Sequence, residues 1–418
     1  MSREIKEKIK NKIISQYSGL LLNNADKQLM RQKVADAVDI LITEDFPKLE
    51  DEVKAKLKEE LTDELTGLGP IEKLMLDPQV TEVMINGPRK VYAEIGGKTK
   101  LTNVAFDNEA HLMYFLNKML LPTRRRVDES LPYTEIALDS GARVNIVIAP
   151  LALNGPVVTI RKFLKEIKTI EDLVNLGTMD NRMSQFLKAS IQAQANVIFS
   201  GPTGVGKTTT LNVLSSYISE KERIITIEDT AELRLTQDHV VRLESRNPNM
   251  DGKGEITIRE LFKNSLRMRP DRIILGEIRG AEALEMLQAI CSGHRGSLSV
   301  LHASSPQDVI YRLETMILTS GISISLEAIQ RQMSASLDLI VQQEQLLDGS
   351  RKITHITQAN GTKDGQVCLE DIFIYDLEGI TADGKVKGKW KATGVVPKFY
   401  PQLVKKGIAL DQGIFNKG

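Results

Sequence analysis

Apolar residues recur at helical spacing through the first part of the chain. Over residues 3–17, Ile5, Ile9, Ile13 and Ile14 fall on one side with lysines around them. Over 26–44 the stripe is Leu29, Val34, Ala37, Val38 and Leu41, and 49–65 predicts a third helix with interspersed Lys and Glu. The pattern then breaks at Gly67-Leu68-Gly69-Pro70. Shorter apolar runs follow, at 80–85, 91–95, near 100–106, 135–138, 143–148 and 157–160, and these predict strands. Among them, 108–120 predicts a helix with Leu112, Phe115, Leu116 and Met119 inward. The organisation expected is a helical N-terminal segment (1–66), a mixed α/β domain (67–163), a linker (164–181) and a larger domain (182–418).

In the larger domain strands and helices alternate. A helix near 182–194 leads into the apolar run Val197-Ile198-Phe199. Strands are predicted at 223–228, 240–244, 272–275 and 298–301, with helices at 257–266, 281–290 and 306–318. That rhythm implies a mostly parallel sheet flanked by helices, whose ligands bind beyond the carboxyl ends of the strands. Residues 351–378 alternate around Gly361 and Gly365 and read as a β-hairpin on this domain. The segment from Trp390 to Gly418 receives no role.

At 418 residues, the chain is long enough for two or three domains. Lys and Arg balance Asp and Glu at 55 each, which argues against a protein that mainly coats nucleic acid. The two cysteines, Cys291 and Cys368, lie far apart without metal or disulfide spacing, so a cytoplasmic chain is expected. Charges recur through the first residues, and no signal peptide is read there. The longest apolar region, 144–160, is interrupted by Asn145, Pro150, Asn154, Gly155 and Pro156 and is not a membrane span.

The chemistry gathers around VIFSGPTGVGKTTT, 197–210. Strand, G-x-x-x-x-G-K-[ST], helix is the pattern of a phosphate-binding loop. Gly201, Gly204 and Gly206 let the backbone turn so that successive N–H groups face phosphate oxygens. Pro202, Thr203, Val205 and Thr209 complete the loop and its exit. Lys207 is expected to reach the β- and γ-phosphates of ATP, and the Thr208 hydroxyl to hold Mg²⁺. Further acids stand at strand ends: Glu228 and Asp229 after one, Glu277 after another. Many proteins with this loop carry Asp where Gly276 stands, to hold Mg²⁺; here only Glu277 remains. It is a candidate for polarising the attacking water and for touching the metal through a water. The alternative is an acid capping the next helix. His302 ends a strand of the same sheet and is a candidate γ-phosphate partner, the alternative being a satisfied core histidine.

Four stretches in order resemble the secretion and pilus motor ATPases of the type II/IV secretion superfamily. They are GPTGVGKTTT, ITIEDTAEL, RPDRIILGEIRG and GHRGSLSVLHA, known in that family as Walker A, Asp box, Walker B and His box. With GLGPIEKLM, RRVDE and GPVVTIRKF upstream, the chain most resembles the CpaF-type ATPases of Tad pili, from about residue 67 to 375. The resemblance implies a RecA-like P-loop motor domain and places Glu228 among the Asp box acids, Glu277 in Walker B and His302 in the His box. It also implies arginines of the N-terminal domain facing the phosphates; Arg143 and Arg161 match, with the cluster Arg124 to Arg126 an alternative to a solvated surface run. Arg295 and Val300 depart from the family, which more often has an acid and Thr there. A homo-hexamer is implied, peripheral to the inner membrane through a platform protein of a pilus or secretion system. A nucleic-acid translocase or helicase of the same loop class is the competing reading, though the chain lacks the basic, aromatic character expected of one. A regulatory ATP-binding module without turnover is a third, disfavoured by Glu277.

Overall fold

The chain divides into two units, 1–164 and 165–418. The computed structural model describes residues 2–16, 27–123, 125–138, 140–162, 167–246, 248, 253–382 and 384–417. Tyr17, Asp26, Arg124, Phe163 and residues 164–166 lie outside the described residues, as does the side chain of Ile14.

In the first unit, helices Ser2–Gln16, Lys27–Asp45 and Asp51–Thr66 bury Ile5, Ile9 and Ile13 against Val34, Val38, Leu41, Leu57 and Leu61. The open carbonyls at the end of the third helix are met by Lys118. Its ammonium donates to the carbonyls of Glu64, Leu65 and Gly67 at 2.7, 3.1 and 2.9 Å. Burial pushes that lysine's pKa down to about 8.

Strands β1 (Val80–Asn86), β2 (Val91–Ile95), β3 (Lys98–Leu101), β4 (Tyr133–Ala137), β5 (Arg143–Val147) and β6 (Val157–Arg161) pair antiparallel in the order β3-β2-β1-β6-β5-β4. Helix Glu109–Leu120 packs on them through Leu112, Phe115, Leu116 and Met119, and Asn108 caps it. Arg161 sits between Glu82 on β1 and Arg143 on β5, so the two arginines face each other directly across neighbouring strands. Each also meets an acid: Arg143 lies 3.0 Å from Glu135, and Arg161 lies 4.0 Å from Glu82.

The second unit opens with helix Ile170–Asn175, inside the stretch expected to be a linker. Thr169 and Asp172 form a capping box, and Ile170 and Leu173 enter the core. Helix Asn181–Gln192 follows. Strands β7 (Val197–Ser200), β8 (Ile224–Glu228), β9 (Val240–Glu244), β10 (Arg272–Leu275), β11 (Leu298–Leu301) and β12 (Leu339–Gln345) run parallel in the order β12-β7-β11-β10-β8-β9. Every residue of β7, β8, β10 and β11 is buried, which explains why these strands are mostly apolar without polar alternation. Val197, Phe199 and Val300 face one core, and Ile198, Leu275 and Leu301 face the other.

Beyond β12 the sheet turns antiparallel through β13 (Arg351–Lys363), β14 (Gln366–Ile380) and β15 (Val386–Ala392). The hairpin expected at 351–378 is β13 and β14. The tail after it is part of the core: Phe399, Leu403 and Phe415 are buried, and Phe415 meets Phe186 edge-on at 5.3 Å. Phe415→Ala should therefore destabilise the protein by about 3–5 kcal/mol, read from denaturant midpoints. A loss under about 1 kcal/mol would show the tail to be a surface appendage.

Candidate nucleotide-binding site

The turn between β7 and helix Lys207–Ser215 is made by three glycines with left-handed or extended positive φ. Gly201 stands at 146°, Gly204 at 81° and Gly206 at 96°. The loop wraps the start of that helix, whose positive end adds to the site. Pro202, Thr203 and Gly204 are exposed, Val205 is buried, and Thr208 and Thr209 are half-buried at the helix start.

Lys207 is only 5% exposed. Its ammonium donates to the carbonyls of Gly201 at 2.9 Å and Pro202 at 2.6 Å. Burial pushes its pKa down to about 8, with Glu277 acting in the opposite direction. A buried cation held by loop carbonyls, with no carboxylate in contact among the described residues, fits a phosphate group. Among the described residues no cluster of three His, Cys, Asp or Glu could hold a metal. A Mg²⁺ ion here would rest on Thr208 and on phosphate oxygens.

The sheet order sets β7, β11, β10 and β8 side by side, so the residues that end them converge. His302 Nδ1 lies 3.3 Å from Lys207 Nζ and 3.4 Å from the Thr203 hydroxyl. His302 Nε2 lies 3.2 Å from Glu277 Oε1. Burial, then Lys207, lowers the histidine's pKa; Glu277 opposes, and Arg279 and Arg312 add to the lowering. With the ring neutral, the geometry assigns its proton to Nε2, donated to Glu277, while Nδ1 accepts from Lys207.

Arg279 then joins the acids. It donates to Glu277 Oε2 at 2.7 Å and to Asp229 Oδ2 at 3.2 Å. Asp229 in turn accepts from Ser245 at 2.7 Å. Sequence reasoning gave Arg279 no role, although it lies two residues from Glu277.

Glu228 is placed differently from Asp229. It is buried, and its Oε2 accepts from the backbone N–H groups of Glu232 and Leu233 at 2.7 and 2.9 Å. Burial raises its pKa, and among the described residues its Oε1 has no partner. Glu228 also accounts for Gly276: a β-carbon there would stand 2.9 Å from Glu228 Cγ, so the Asp many such loops carry does not fit. Arg143 and Arg161 belong to the first unit.

A phosphate-binding loop at the carboxyl end of an interior strand of a parallel sheet, with a glutamate ending the strand two places over, defines a RecA-like P-loop domain. Comparison with known proteins narrows that class. Residues 64–375 match the family described as type II/IV secretion system protein, and the chain belongs to that family. The type IV secretion system protein VirB11 of Bartonella henselae is 31% identical over 332 residues, covering 70% of this chain and 92% of that protein. A Mycobacterium tuberculosis (strain CDC 1551 / Oshkosh) protein whose name provisionally assigns it to conjugal transfer is 31% identical over 319 residues, covering 74% of this chain and 90% of that protein. Among solved structures, the VirB11 ATPase of the Brucella suis type IV secretion system, in complex with sulphate, is 29% identical and covers 69% of this chain and 92% of its own, at a TM-score of 0.39. Among the described residues no helix is long and apolar enough to cross a membrane.

Proposed function

We propose that the protein is a MgATP-hydrolysing motor of a pilus or secretion system, of the CpaF type found with Tad pili. The observation that carries this reading is the continuous path from Lys207 through His302 to Glu277 and Arg279, at 3.3, 3.2 and 2.7 Å. It links the cation that holds the phosphates to the acid that activates water.

Lys207 and the loop N–H groups bind the β- and γ-phosphates. Thr208 would hold Mg²⁺, which would supply charge neutralisation at the phosphates. Glu277 takes a proton from water, directly or through a second water, as the water oxygen bonds to phosphorus. The bond to the bridging oxygen breaks, giving ADP and phosphate. His302, bonded to both Lys207 and Glu277, is placed to respond when the γ-phosphate leaves. Glu228 holds the loop that presents Asp229. Arg143 and Arg161 are the cations proposed to serve the transferring phosphoryl group, and the working form is a homo-hexamer at the cytoplasmic face of the inner membrane, acting on a platform protein.

The test is phosphate release by the purified chain with MgATP, alone and with single-stranded DNA or RNA. Turnover without nucleic acid supports the motor. Turnover only with nucleic acid supports a translocase, and none under either condition removes the enzyme reading. Arg161→Ala should lower kcat at least about tenfold with ADP affinity near the parent's, since the arginine serves the transferring phosphoryl group. Parent-like kcat would leave Arg161 as a partner of Glu82 alone.

A further inference from the structure

A phosphate-binding loop works when its N–H groups point inward. Its carbonyls then point outward and need partners of their own. Lys207 meets the carbonyls of Gly201 and Pro202. Those bonds are released when the ammonium turns to an anion. The carbonyls in the middle of the loop are met from elsewhere, by side chains near the end of β12 and at the start of β13.

β12 runs beside β7 with Gln342 level with Ser200, so the next residue, Gln343, projects past the end of β7 alongside the loop. The pairing of β12 with β13 shifts register between Gln342 and Gln343, and both glutamines are buried, at 0% and 3% exposure. Such a bulge re-aims a side chain. Gln343 Nε2 donates to the Val205 carbonyl at 2.7 Å, and its Oε1 accepts from Thr210 on the loop's helix at 2.9 Å. Arg351, at the start of β13, donates from Nε to the Gly204 carbonyl at 3.0 Å. The fit is close on the other side as well. A methyl group on Gly201 would stand 2.0 Å from the Gln343 carbonyl oxygen, and one on Gly206 would stand 3.1 Å from Gln343 Nε2.

We infer that Gln343 and Arg351 are positioning residues of the nucleotide site: they hold the middle of the loop in its anion-binding turn whether or not an anion is bound. This rests on the reading of the loop as a nucleotide site, but the clamp itself is made of bonds within the protein. Neither residue touches the path from Lys207 to Glu277, so their loss acts on binding before it acts on chemistry.

The experiment compares the full-length parent with Arg351→Met, Arg351→Lys and Gln343→Leu. Hydrogen exchange of residues 201–206 is followed without nucleotide, with the β10 peptide, 272–275, as the reference for global stability. MgADP affinity and MgATP kinetics are measured on the same samples. The expected result for Arg351→Met and Gln343→Leu is faster exchange in the loop, unchanged exchange in β10, and MgADP affinity weakened about tenfold, as one lost charge-assisted or buried bond implies. KM should rise by more than kcat falls. Arg351→Lys keeps the charge but not the Nε geometry and should resemble Arg351→Met. Parent-like loop exchange in Arg351→Met overturns the clamp, as does full recovery by Arg351→Lys, which would reduce Arg351 to a general positive charge. If the parent binds no MgADP, the nucleotide reading fails, while loop exchange still decides the clamp. Arg351→Met covers the case in which Gln343→Leu does not fold, because Arg351 lies at the surface end of the hairpin.

Discussion

Lys207→Met is expected to abolish tight MgATP binding and, without nucleotide, to make the protein more stable at pH 7. The two effects have one cause. The ammonium is buried, and burial lowers its pKa from 10.5 to about 8. A lysine lowered on folding is penalised while charged: between about pH 8 and 10.5 the unfolded chain holds more protons, so stability rises with pH through that window and the whole penalty remains at pH 7. The difference, 10.5 − 8 = 2.5, corresponds to about 3 kcal/mol at full value. Solvent at the open side of the loop, and the loss of the bonds to Gly201 and Pro202, reduce the expected net gain to about 1 kcal/mol. That is about 2–4 °C in Tm. The gain should shrink as pH rises from 8. In saturating MgATP the order should reverse, because ligand linkage stabilises the parent and not the variant. Thermal melts at two pH values with and without MgATP check each sign. A variant less stable than the parent without nucleotide would mean that the lysine is fully satisfied by its carbonyls.

What was legible in the sequence was local. The loop at 201–208 carries its own spacing, and the acids and histidine at strand ends follow from alternation of strands and helices. What was not legible depends on distant pairing. Gln343 looks like an ordinary polar strand residue until β12 is placed beside β7, and its bond to Val205 spans 138 residues. Arg351 reads only as the start of a hairpin. The tail was opaque for the same reason: β15 alternates lysine with other residues, and its place as an edge strand comes from its register with β14, where Trp390 pairs with Tyr375. The capping box at Thr169 and Asp172 is written in the sequence, but the helix it starts has only 6 residues, too few to show a helical period. Arg279 stood inside a recognised motif. Its role emerges only when β8 is known to lie beside β10, which brings Asp229 within reach of it.

Glu277→Gln should keep MgATP bound and stop turnover. The competing role for Glu277, capping the next helix, is already filled: Glu282 accepts from the N–H groups of Arg279 and Gly280 at 2.6 and 2.8 Å, at the start of helix Glu282–Cys291. Glu277 instead faces the site, with one oxygen toward His302 and the other toward Arg279. An amide keeps the shape and can still accept from His302. It cannot take a proton from water, and its NH₂ then faces the Arg279 guanidinium, donor against donor. The loss should fall in kcat, about 10²–10⁴-fold, with nucleotide affinity within a few-fold of the parent. Single-turnover hydrolysis with preloaded MgATP isolates the chemical step from binding and release. A parent-like rate in that experiment would leave Glu277 as a tether for Arg279, and the base would have to be sought at Asp229, the other acid that Arg279 holds at this end of the sheet.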